Sequence, residues 1–453
     1  MFNDKHFLVF ISVLAFTTKL LFFALFLKNN PCMLEFDSSH YHKIALQIAT
    51  GNGISTESGA PQFYRVPGYP IFLALCYKCF EANPIYAILF QILLSIFIAW
   101  LIFFLSLTIF PCQKKVAQFA ALVACFDIGY LIFPGLVFTE TLFVLFFTIF
   151  LILFLQNLNL FFCKSKSKQS LIQLFAAGVF LGIACLIRQV VPAMICVSIF
   201  LLLFTQKRLR ALATFISGFL LATGWWLVCN YLLTGYIFFG TLSGPHFLNH
   251  AAVRLEMGQH NISHEQAQNN VYQKFNDLCQ KHELELCRPL QEIEKSLIAE
   301  KLTLNMYIER PMITIKLWTT NILKSAFGLY SSELLFVDSG GSLPPYDNNR
   351  GLNTIVKRFL LPDVSNKWII PVIYFEIFLL LFLLIGFFMF CASIFVNFNN
   401  LCVAFKAFPF IFAVLFITLA CGYARLRLPI ECFLITLASK AWIDFFKGRV
   451  NEE

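Results

Sequence analysis

The chain has 453 residues, of which 59% are hydrophobic and only 13% are charged, and its formal net charge is +9. A soluble protein has about a quarter charged residues, so this composition excludes an ordinary soluble domain and predicts a polytopic membrane protein. The basic residues lie mostly in short segments between apolar runs. That placement is typical of membrane topology and argues against nucleic-acid binding.

Apolar stretches of bilayer length recur from the first run onward. The first run, 7–27, is too long for a signal-peptide core and has no small-residue cleavage site after it, so we expect a retained span. About ten spans are predicted in total, near 7–27, 85–110, 116–132, 136–156, 171–187, 190–205, 211–233, 369–396, 407–423 and 429–446. The predicted fold class is an all-α polytopic membrane protein.

The short basic loops, such as the one at Lys114 and Lys115, set the orientation. By the positive-inside rule these loops face the cytoplasm, which places both termini there and the two long polar segments outside. Three regions result. They are an N-terminal transmembrane catalytic module at 1–233 with its first outer loop at 28–84, an extracytoplasmic loop region at 234–368, and C-terminal transmembrane helices at 369–453.

Both outer loops are expected to carry short helices that lie in the membrane interface. Apolar residues recur at helical spacing in 38–49 and again in 309–327, which starts with a proline in its first turn. Within the same outer region, 338–351 is predicted to be a flexible loop that can act as a lid. The alternative, which we favour for 234–368 as a whole, is a cap that shapes an acceptor cleft without taking part in the chemistry. Cys279 and Cys287 are the two cysteines of this region in a polar stretch, and the sequence does not decide whether they form a disulfide.

Four arginines, Arg65, Arg188, Arg425 and Arg427, fall on the predicted outer side, against the charge rule. A charged side chain inside a bilayer costs at least a few kcal/mol and often marks a functional site. One interpretation is an interface anchor whose long stem lets the charged head reach water. The other is a shared anionic ligand, which we favour because these arginines lie on the same side as several carboxylates.

Three acidic residues on this side are candidates for chemistry. Glu35 and Asp37 follow the first span and are separated by one residue, so they can serve as a base or as metal ligands; the alternative is a solvated loop acid with a helix cap. Glu140 lies near the outer end of the span at 136–156. It is either a site residue or an interfacial acid paired with a lysine or arginine.

Four stretches in chain order carry a resemblance. They are Glu35-Phe36-Asp37 followed by Tyr41 and Ala45, Arg65-Val66-Pro67-Gly68-Tyr69-Pro70, FPGLVFTETLF around Glu140, and ARLRLPIECFLI. With them the sequence resembles the integral-membrane GT-C glycosyltransferases, in the branch of the dolichyl-phosphate-mannose–protein mannosyltransferases and the lipid A aminoarabinose transferase. The resemblance implies a GT-C-like architecture. It also implies inverting transfer of a sugar from a polyprenyl-phosphate donor to a lipid, glycan or protein acceptor at the outer membrane face.

The resemblance also implies roles for individual residues. The base is an acid of the first outer loop, which gives Asp37 with Glu35 as its partner or as a metal ligand. Many relatives have adjacent acids, so the one-residue spacing here leaves open which of the two is the base. The remaining predicted site residues are expected to bind substrate: Tyr41, Tyr64, Arg65, Glu140, Arg188, Arg425 and Arg427.

The chemistry supports the same assignment on independent grounds. An acceptor nucleophile must lose a proton to a carboxylate or a similar base, and charge develops on the departing phosphate in the transition state. Arginine stays charged and grips phosphate oxygens with two donors. We therefore expect Arg425 and Arg427 to hold a lipid-linked phosphate opposite Asp37, with a divalent metal ion at Glu35 and Asp37 as a possible cofactor.

A transporter or flippase of a lipid-linked or anionic substrate is the alternative function. Such a protein is expected to place ionisable groups at the membrane midplane and to show two related halves. Neither feature is evident in this sequence, because the charges gather toward one face and no internal repeat is found. The predicted location is a bacterial inner membrane with an extracytoplasmic active site.

Overall fold

The structure is a computed structural model that describes residues 4–30, 33–35, 37–158, 170–189, 192–205, 207–282, 291–341 and 364–450. Within these ranges the regular secondary structure is helical, and an isolated antiparallel bridge joins Ser55 and Pro61. Lid candidate 338–351 falls largely outside the described residues, as does Cys287. The disulfide and lid hypotheses therefore stay predictions.

The described residues form nineteen α-helices, numbered here in chain order. They are α1 Asp4–Phe22, α2 Asp37–Ala49, α3 Gly68–Cys79, α4 Pro84–Ile109, α5 Lys114–Phe126, α6 Ile128–Ile132, α7 Glu140–Asn157, α8 Leu171–Ile187, α9 Pro192–Leu203, α10 Arg208–Thr234, α11 Ser243–His246, α12 Val253–His260, α13 His264–Lys281, α14 Glu292–Glu309, α15 Pro311–Phe327, α16 Ser332–Asp338, α17 Ile369–Ser393, α18 Phe398–Ile417 and α19 Leu428–Val450. Short π-helical turns extend α1 over Phe23–Leu27 and α11 over Phe247–Ala252. Tight 3₁₀ turns occupy Phe133–Gly135 and Ala424–Leu426.

Six helices of the described chain are long and apolar enough to cross a membrane. They are Lys5–Leu27, Pro84–Ile109, Glu140–Asn157, Arg208–Thr234, Ile369–Ser393 and Phe398–Ile417. A seventh span results if Lys114–Phe126 and Ile128–Gly135, which meet at a bend of 55°, are counted together. The protein is thus a helical membrane protein by length and composition of its helices.

The prediction of ten spans is not confirmed, and the reason is helix length and composition. Helix α8 has 17 residues and α9 has 12, which correspond to about 26 and 18 Å at 1.5 Å per residue, against a hydrocarbon core of about 30 Å. Helix α19 carries ionisable residues, among them Glu431 and Lys440. The predicted interfacial position of α2 and α15 likewise remains a prediction, although both segments are helical.

Helix α7 lies at the centre of the apolar core. Its phenylalanines Phe143, Phe147, Phe150 and Phe154 follow one another at helical spacing and are almost fully buried. Neighbouring rings along this row have centroids 5.3–5.6 Å apart, and Phe410 of α18 packs edge-on against the last three. The phenylalanine-rich composition therefore builds a rigid central helix whose first residue is Glu140.

The outer region 234–341 forms a helical layer with its own small core. Leu248, Val253, Val271, Ala299 and Tyr307 are among its buried residues. Buried Glu256 of α12 accepts hydrogen bonds from Lys274 of α13 and from Arg310 just before α15. This apolar cluster and its ion pairs join α12, α13 and α15, so the layer is a packed unit.

Helices α8 and α10 approach each other closely at a pair of glycines. A methyl group on Gly178 would lie 2.1 Å from the carbonyl oxygen of Phe215, and one on Gly218 would lie 2.1 Å from that of Phe175. Small residues allow this kind of backbone approach between membrane helices. The glycine pair therefore sets the spacing of the two helices.

We predict that Gly218→Ala lowers thermal stability, because a Cβ atom at this distance from backbone forces α8 and α10 apart. Overpacking of this kind costs about 1–3 kcal/mol. The control is Gly224→Ala in the same helix, where nothing lies within 4 Å of the added carbon. Melting temperatures of the two variants in detergent micelles should differ by several degrees; equal melting temperatures would contradict the proposed contact.

Candidate active site

The predicted polar residues converge because they occupy helix ends. Asp37 and Glu140 are the first residues of α2 and α7, where the positive end of the helix dipole favours a carboxylate. Arg188 directly follows α8, where the negative end favours a cation. Arg425 lies in the tight turn between α18 and α19. Four separate elements thus direct their charged residues into one place.

Arg65 is fixed by two tyrosines of the first outer loop. Its guanidinium carbon lies 5.0 Å from the ring centroids of both Tyr41 and Tyr64, and Nη1 donates to the Tyr41 hydroxyl at 3.3 Å. Gly68, three residues later, packs so tightly on α8 that an added Cβ would lie 2.6 Å from the carbonyl oxygen of Leu186. This contact brings the loop of Arg65 next to Arg188.

A chain of ion pairs links the converging residues. Arg65 pairs with one oxygen of Asp37, and Arg425 Nη2 donates to the other oxygen at 3.0 Å. Arg425 Nε lies 2.6 Å from Glu140 Oε1, and Arg188 Nη1 lies 2.9 Å from the same oxygen. Three cations and two anions therefore alternate around one centre, and Glu140 itself is completely buried.

Several of these charged atoms are close to a partner yet lack hydrogen-bond geometry. Among the described residues, Arg65 Nε, Arg188 Nη1 and Arg425 Nε have no hydrogen-bond partner, and neither has Glu140 Oε1. Buried donors are rarely left unsatisfied in proteins. The short N–O distances to Glu140 nevertheless place Arg188 Nη1 and Arg425 Nε in attractive ion pairs.

The Asp37 carboxylate is strongly held in its ionised form. Burial alone would raise its pKa, but the charges of Arg425 and Arg65 outweigh burial and hold the pKa well below its usual range. About a quarter of the side chain remains exposed. Asp37 is therefore a partly exposed carboxylate that is ion-paired with two guanidinium groups.

The network opens onto a cavity of about 480 Å³. Asp37, Tyr41, Tyr64, Arg65, Arg188 and Arg425 all line it. Apolar residues complete the lining: Ile187, Ala193, Leu242, Phe416, Ile417 and Leu419. The volume is within the range of small-molecule sites, and the lining combines a cationic part with an apolar part.

Three predicted site residues do not line this cavity. Glu140 is buried behind the lining, where it pairs with Arg188 and Arg425. Glu35 is exposed, and its side chain does not reach the cavity lining among the described residues. Arg427 is buried and directed elsewhere. Its Nη1 lies within hydrogen-bond distance of the carbonyl oxygens of Ser325, Ala326 and Gly328, and its Nε donates to Glu431 at 2.9 Å.

Arg427 therefore braces the turn that carries Arg425. Its guanidinium carbon also lies 4.7 Å from the ring centroid of Tyr330, whose hydroxyl donates to the same Glu431 carboxylate at 2.8 Å. All these partners belong to the end of α15, the segment after it and α19. Arg427 is also not an interface anchor whose charged head reaches water, because only 4% of this residue is exposed.

We predict that Arg427→Ala destabilises the fold by about 3–5 kcal/mol, because Glu431 is left as an uncompensated buried charge. Arg427→Lys should recover only part of the loss, since one ammonium group cannot replace the guanidinium's several directed donors. The measurement is thermal unfolding in detergent, with exposed Arg208→Ala as the control. A stable Arg427→Lys protein that fails only in phosphate-lipid binding would instead support the sequence-based role.

The residues proposed as metal ligands do not fit a divalent cation in this structure. Both oxygens of Asp37 already accept from guanidinium groups, and the neighbouring charges are positive. Glu35, the second proposed ligand, is exposed and outside the cavity lining. The described residues also contain no group of three His, Cys, Asp or Glu side chains placed to hold a metal ion.

The structure adds site residues that the sequence interpretation did not select. His246, Asn249 and His250 line the cavity from the outer layer. Glu333 of α16 is buried nearby, where it is influenced by the charges of Arg425, Glu140 and Asp37. The spacing of the histidines by four residues was visible in the sequence, but nothing there linked 246–250 to the first outer loop.

Burial raises the pKa of the Glu333 carboxyl to about 7, although Arg425 opposes this effect. A carboxyl whose pKa is raised on folding binds its proton more tightly in the native state than in the unfolded state. Stability from this group is therefore present below the unfolded pKa of about 4.3 and is lost as the pH rises through about 7.

We predict that Glu333→Gln removes this pH dependence. The variant should gain stability relative to the parent protein between pH 5 and pH 8, by about 1–3 kcal/mol in total. Unfolding at several pH values in detergent measures the difference, and the exposed Glu81→Gln variant serves as the control. A difference between parent and Glu333→Gln that stays constant with pH would contradict the raised pKa.

Comparisons with known proteins give a result for structure only. No protein-family model matches the chain, and no curated protein matches it in sequence. A crystal structure of the Archaeoglobus fulgidus oligosaccharyltransferase tethered to an acceptor peptide is similar over 98% of this chain, with 14% identity and a TM-score of 0.53. The archaeal oligosaccharyltransferase AglB from the same organism, in complex with an inhibitory peptide and dolichol-phosphate, is similar over 99%, with 12% identity and a TM-score of 0.50.

A structure of ArnT from Cupriavidus metallidurans bound to undecaprenyl phosphate covers 97% of this chain and 77% of its own, with 12% identity and a TM-score of 0.42. The present chain spans about half the length of the oligosaccharyltransferases, 50% and 51% of their chains. At 12–14% identity the likeness to the oligosaccharyltransferases shows a shared fold alone, which is a helical membrane fold of the GT-C type.

Proposed function

We propose that the protein is a glycosyltransferase that moves a sugar from a polyprenyl-phosphate donor to a lipid, glycan or protein acceptor. The observation that carries this proposal is the set of three largely buried arginines, Arg65, Arg188 and Arg425, around a cavity that also contains Asp37. Arg65 and Arg425 direct guanidinium donors at Asp37 inside this cavity. Such donors suit phosphate oxygens.

The charge of the network fits one phosphate diester. Three guanidinium groups face the two carboxylates Asp37 and Glu140, which leaves one positive charge. A sugar joined to a lipid by a phosphate carries one negative charge. The apolar lining at Phe416, Ile417 and Leu419 offers a surface for an isoprenoid chain, and the dolichol-phosphate bound to the archaeal enzyme of the same fold supports this choice of carrier.

The proposed reaction breaks the bond between the sugar C1 and the phosphate oxygen. The acceptor nucleophile forms a new bond to C1 from the opposite side, so the anomeric configuration inverts, and the departing oxygen keeps the electron pair. Arg65 and Arg425 stabilise the charge that develops on the phosphate. Asp37 takes the proton of the acceptor and later releases it to water, and the lipid leaves as polyprenyl phosphate.

In the structure Asp37 is too weak a base for this step, because two arginines stabilise its ionised form. The incoming phosphate competes with Asp37 for the same guanidinium groups. Arg425 remains attached to Glu140 through Nε while its Nη2 group turns from Asp37 to the phosphate. The carboxylate that loses this partner becomes more basic, so donor binding prepares the base.

The orientation supports an extracytoplasmic reaction. The cavity is lined by α2, by the outer layer 234–341 and by the turn before α19, all of which belong to the predicted outer side. A bacterial inner membrane remains the predicted location. The proposed acceptor is a lipid, a glycan or a protein.

We predict that Asp37→Asn lowers sugar transfer by about two to four orders of magnitude, as expected for loss of a general base, while undecaprenyl phosphate still binds. Arg425→Ala should weaken binding of undecaprenyl phosphate about 10- to 100-fold. Arg425→Lys should recover part of this loss. The measurements are lipid binding in detergent and sugar transfer in proteoliposomes, with Arg208→Ala as the control.

Three results would contradict the proposal. Wild-type transfer by Asp37→Asn would remove the base assignment and make Glu140 the next candidate. Unchanged lipid binding by Arg425→Ala would remove the phosphate site. Movement of lipid-linked sugar across the proteoliposome membrane without consumption of the donor would identify a transporter instead of a transferase.

A further inference from the structure

One part of the cavity lining has no role in the proposed reaction. It is formed by a single stretch of the outer layer, in which α11 continues as the π-helical turn Phe247–Ala252. Ser243, His246, Asn249 and His250 of this stretch line the cavity, and we refer to these four residues as the polar wall. Turns of π-helix are rare and frequently occur at functional sites.

Contacts behind the polar wall hold it in place. The Tyr272 hydroxyl donates to Asn249 Oδ1 at 2.7 Å, so the oxygen of this amide is engaged and its NH₂ group remains for a ligand among the described residues. Ser243 Oγ donates to Glu300. The backbone N–H of Gly244 donates to Ser296 Oγ at 3.1 Å, which fixes α11 against α14. Side chains locked in this way are pre-organised for binding.

The two histidines present uncharged rings. Burial, with a smaller contribution from His250, lowers the pKa of His246 to about 3. Burial followed by the charge of Arg254 lowers the pKa of His250. The ring centroids lie only 4.8 Å apart, so two imidazolium ions at this distance would repel each other. A neutral imidazole has one donor and one acceptor nitrogen, which matches the hydroxyl group of a sugar.

The charges around the cavity disfavour an ionised sugar. Its described lining contains three arginines and one carboxylate, Asp37, which is already paired with two of them. An ammonium group on the sugar would meet, in the described lining, only a carboxylate that two arginines already hold, and it would be repelled by these arginines. Glu300, which accepts from Ser243 behind the wall, is not part of this lining. A carboxylate on the sugar would compete with the phosphate for the same guanidinium groups.

We infer that the polar wall is the subsite for the transferred sugar and that it selects an uncharged, hydroxyl-bearing sugar. This inference rests on the proposed glycosyltransferase function and adds the class of sugar to it. The phosphate contacts Arg65 and Arg425, and the sugar attached to it contacts His246, Asn249 and His250 from the outer layer. Both ends of the donor head group are then held by side chains of one cavity.

The test compares four kinds of ligand on the whole chain in detergent. They are undecaprenyl phosphate and the same lipid carrying a neutral hexose, an amino sugar or a uronic acid. We expect the parent protein to bind the hexose lipids about tenfold or more tightly than the two charged-sugar lipids. The panel includes several neutral hexoses, because the inference concerns charge and does not name one sugar.

Variants of the polar wall separate the sugar from the phosphate. Asn249→Ala and His250→Ala should weaken binding of the preferred hexose lipid about tenfold and leave binding of undecaprenyl phosphate unchanged. Arg425→Ala should weaken both. His250→Gln keeps hydrogen-bonding capacity and should retain more affinity than His250→Ala, which also guards against a simple folding defect. His250→Glu should shift preference toward the amino-sugar lipid.

Failure of the inference and failure of the proposed function look different. If the parent binds undecaprenyl phosphate but prefers a charged sugar, or if the wall variants bind the hexose lipid like the parent, the sugar subsite is overturned and the phosphate site stands. If the wall variants lose undecaprenyl phosphate and the hexose lipid equally, the wall belongs to the lipid site, and the inference is again overturned. If the parent binds none of the four lipids, the proposed function fails and the inference with it.

Discussion

The guanidinium group of Arg425 joins two carboxylates that are far apart in the chain, Asp37 after the first span and Glu140 at the start of α7. A buried charge that loses its partner costs several kcal/mol, so each of the three residues requires the others. The elements that carry them, namely α2, the central helix α7 and the turn before α19, must therefore meet at one place. The cavity, its arginine lining and its outer wall all depend on this meeting.

Arginines two residues apart have different tasks in this arrangement. Arg425 directs its donors toward Asp37 and Glu140, whereas Arg427 donates to three backbone carbonyls and Glu431. The second residue stabilises the turn, and this turn holds the first against Asp37 and Glu140. A rigid support of this kind is what a binding site needs to hold a charged group without a large entropic cost. The division also explains why a membrane protein keeps two cations in so short a stretch.

The two carboxylates of the network make three cations at one centre compatible with folding. Asp37 pairs with Arg65 and Arg425, and Glu140 pairs with Arg425 and Arg188. The arrangement stores little excess charge, because three guanidinium groups and two carboxylates nearly cancel. The proposed phosphate would therefore replace contacts that Asp37 already makes with the arginines. Because these arginines are already desolvated, its binding would not include the free energy of burying them.

Local sequence patterns were enough to predict the helical membrane character and most of the candidate site. Apolar run length gave the long spans, since backbone groups inside a bilayer require helices, and charges out of place along those runs singled out Asp37, Arg65, Glu140, Arg188 and Arg425. The predicted ten spans are not confirmed, because α8, α9 and α19 are apolar but short or interrupted by charges. The tertiary structure decided what no local pattern contains. Only packing places residues 246–250 against the first outer loop, turns Arg427 away from the cavity and leaves Glu35 exposed, because a side chain's partners depend on contacts between segments hundreds of residues apart.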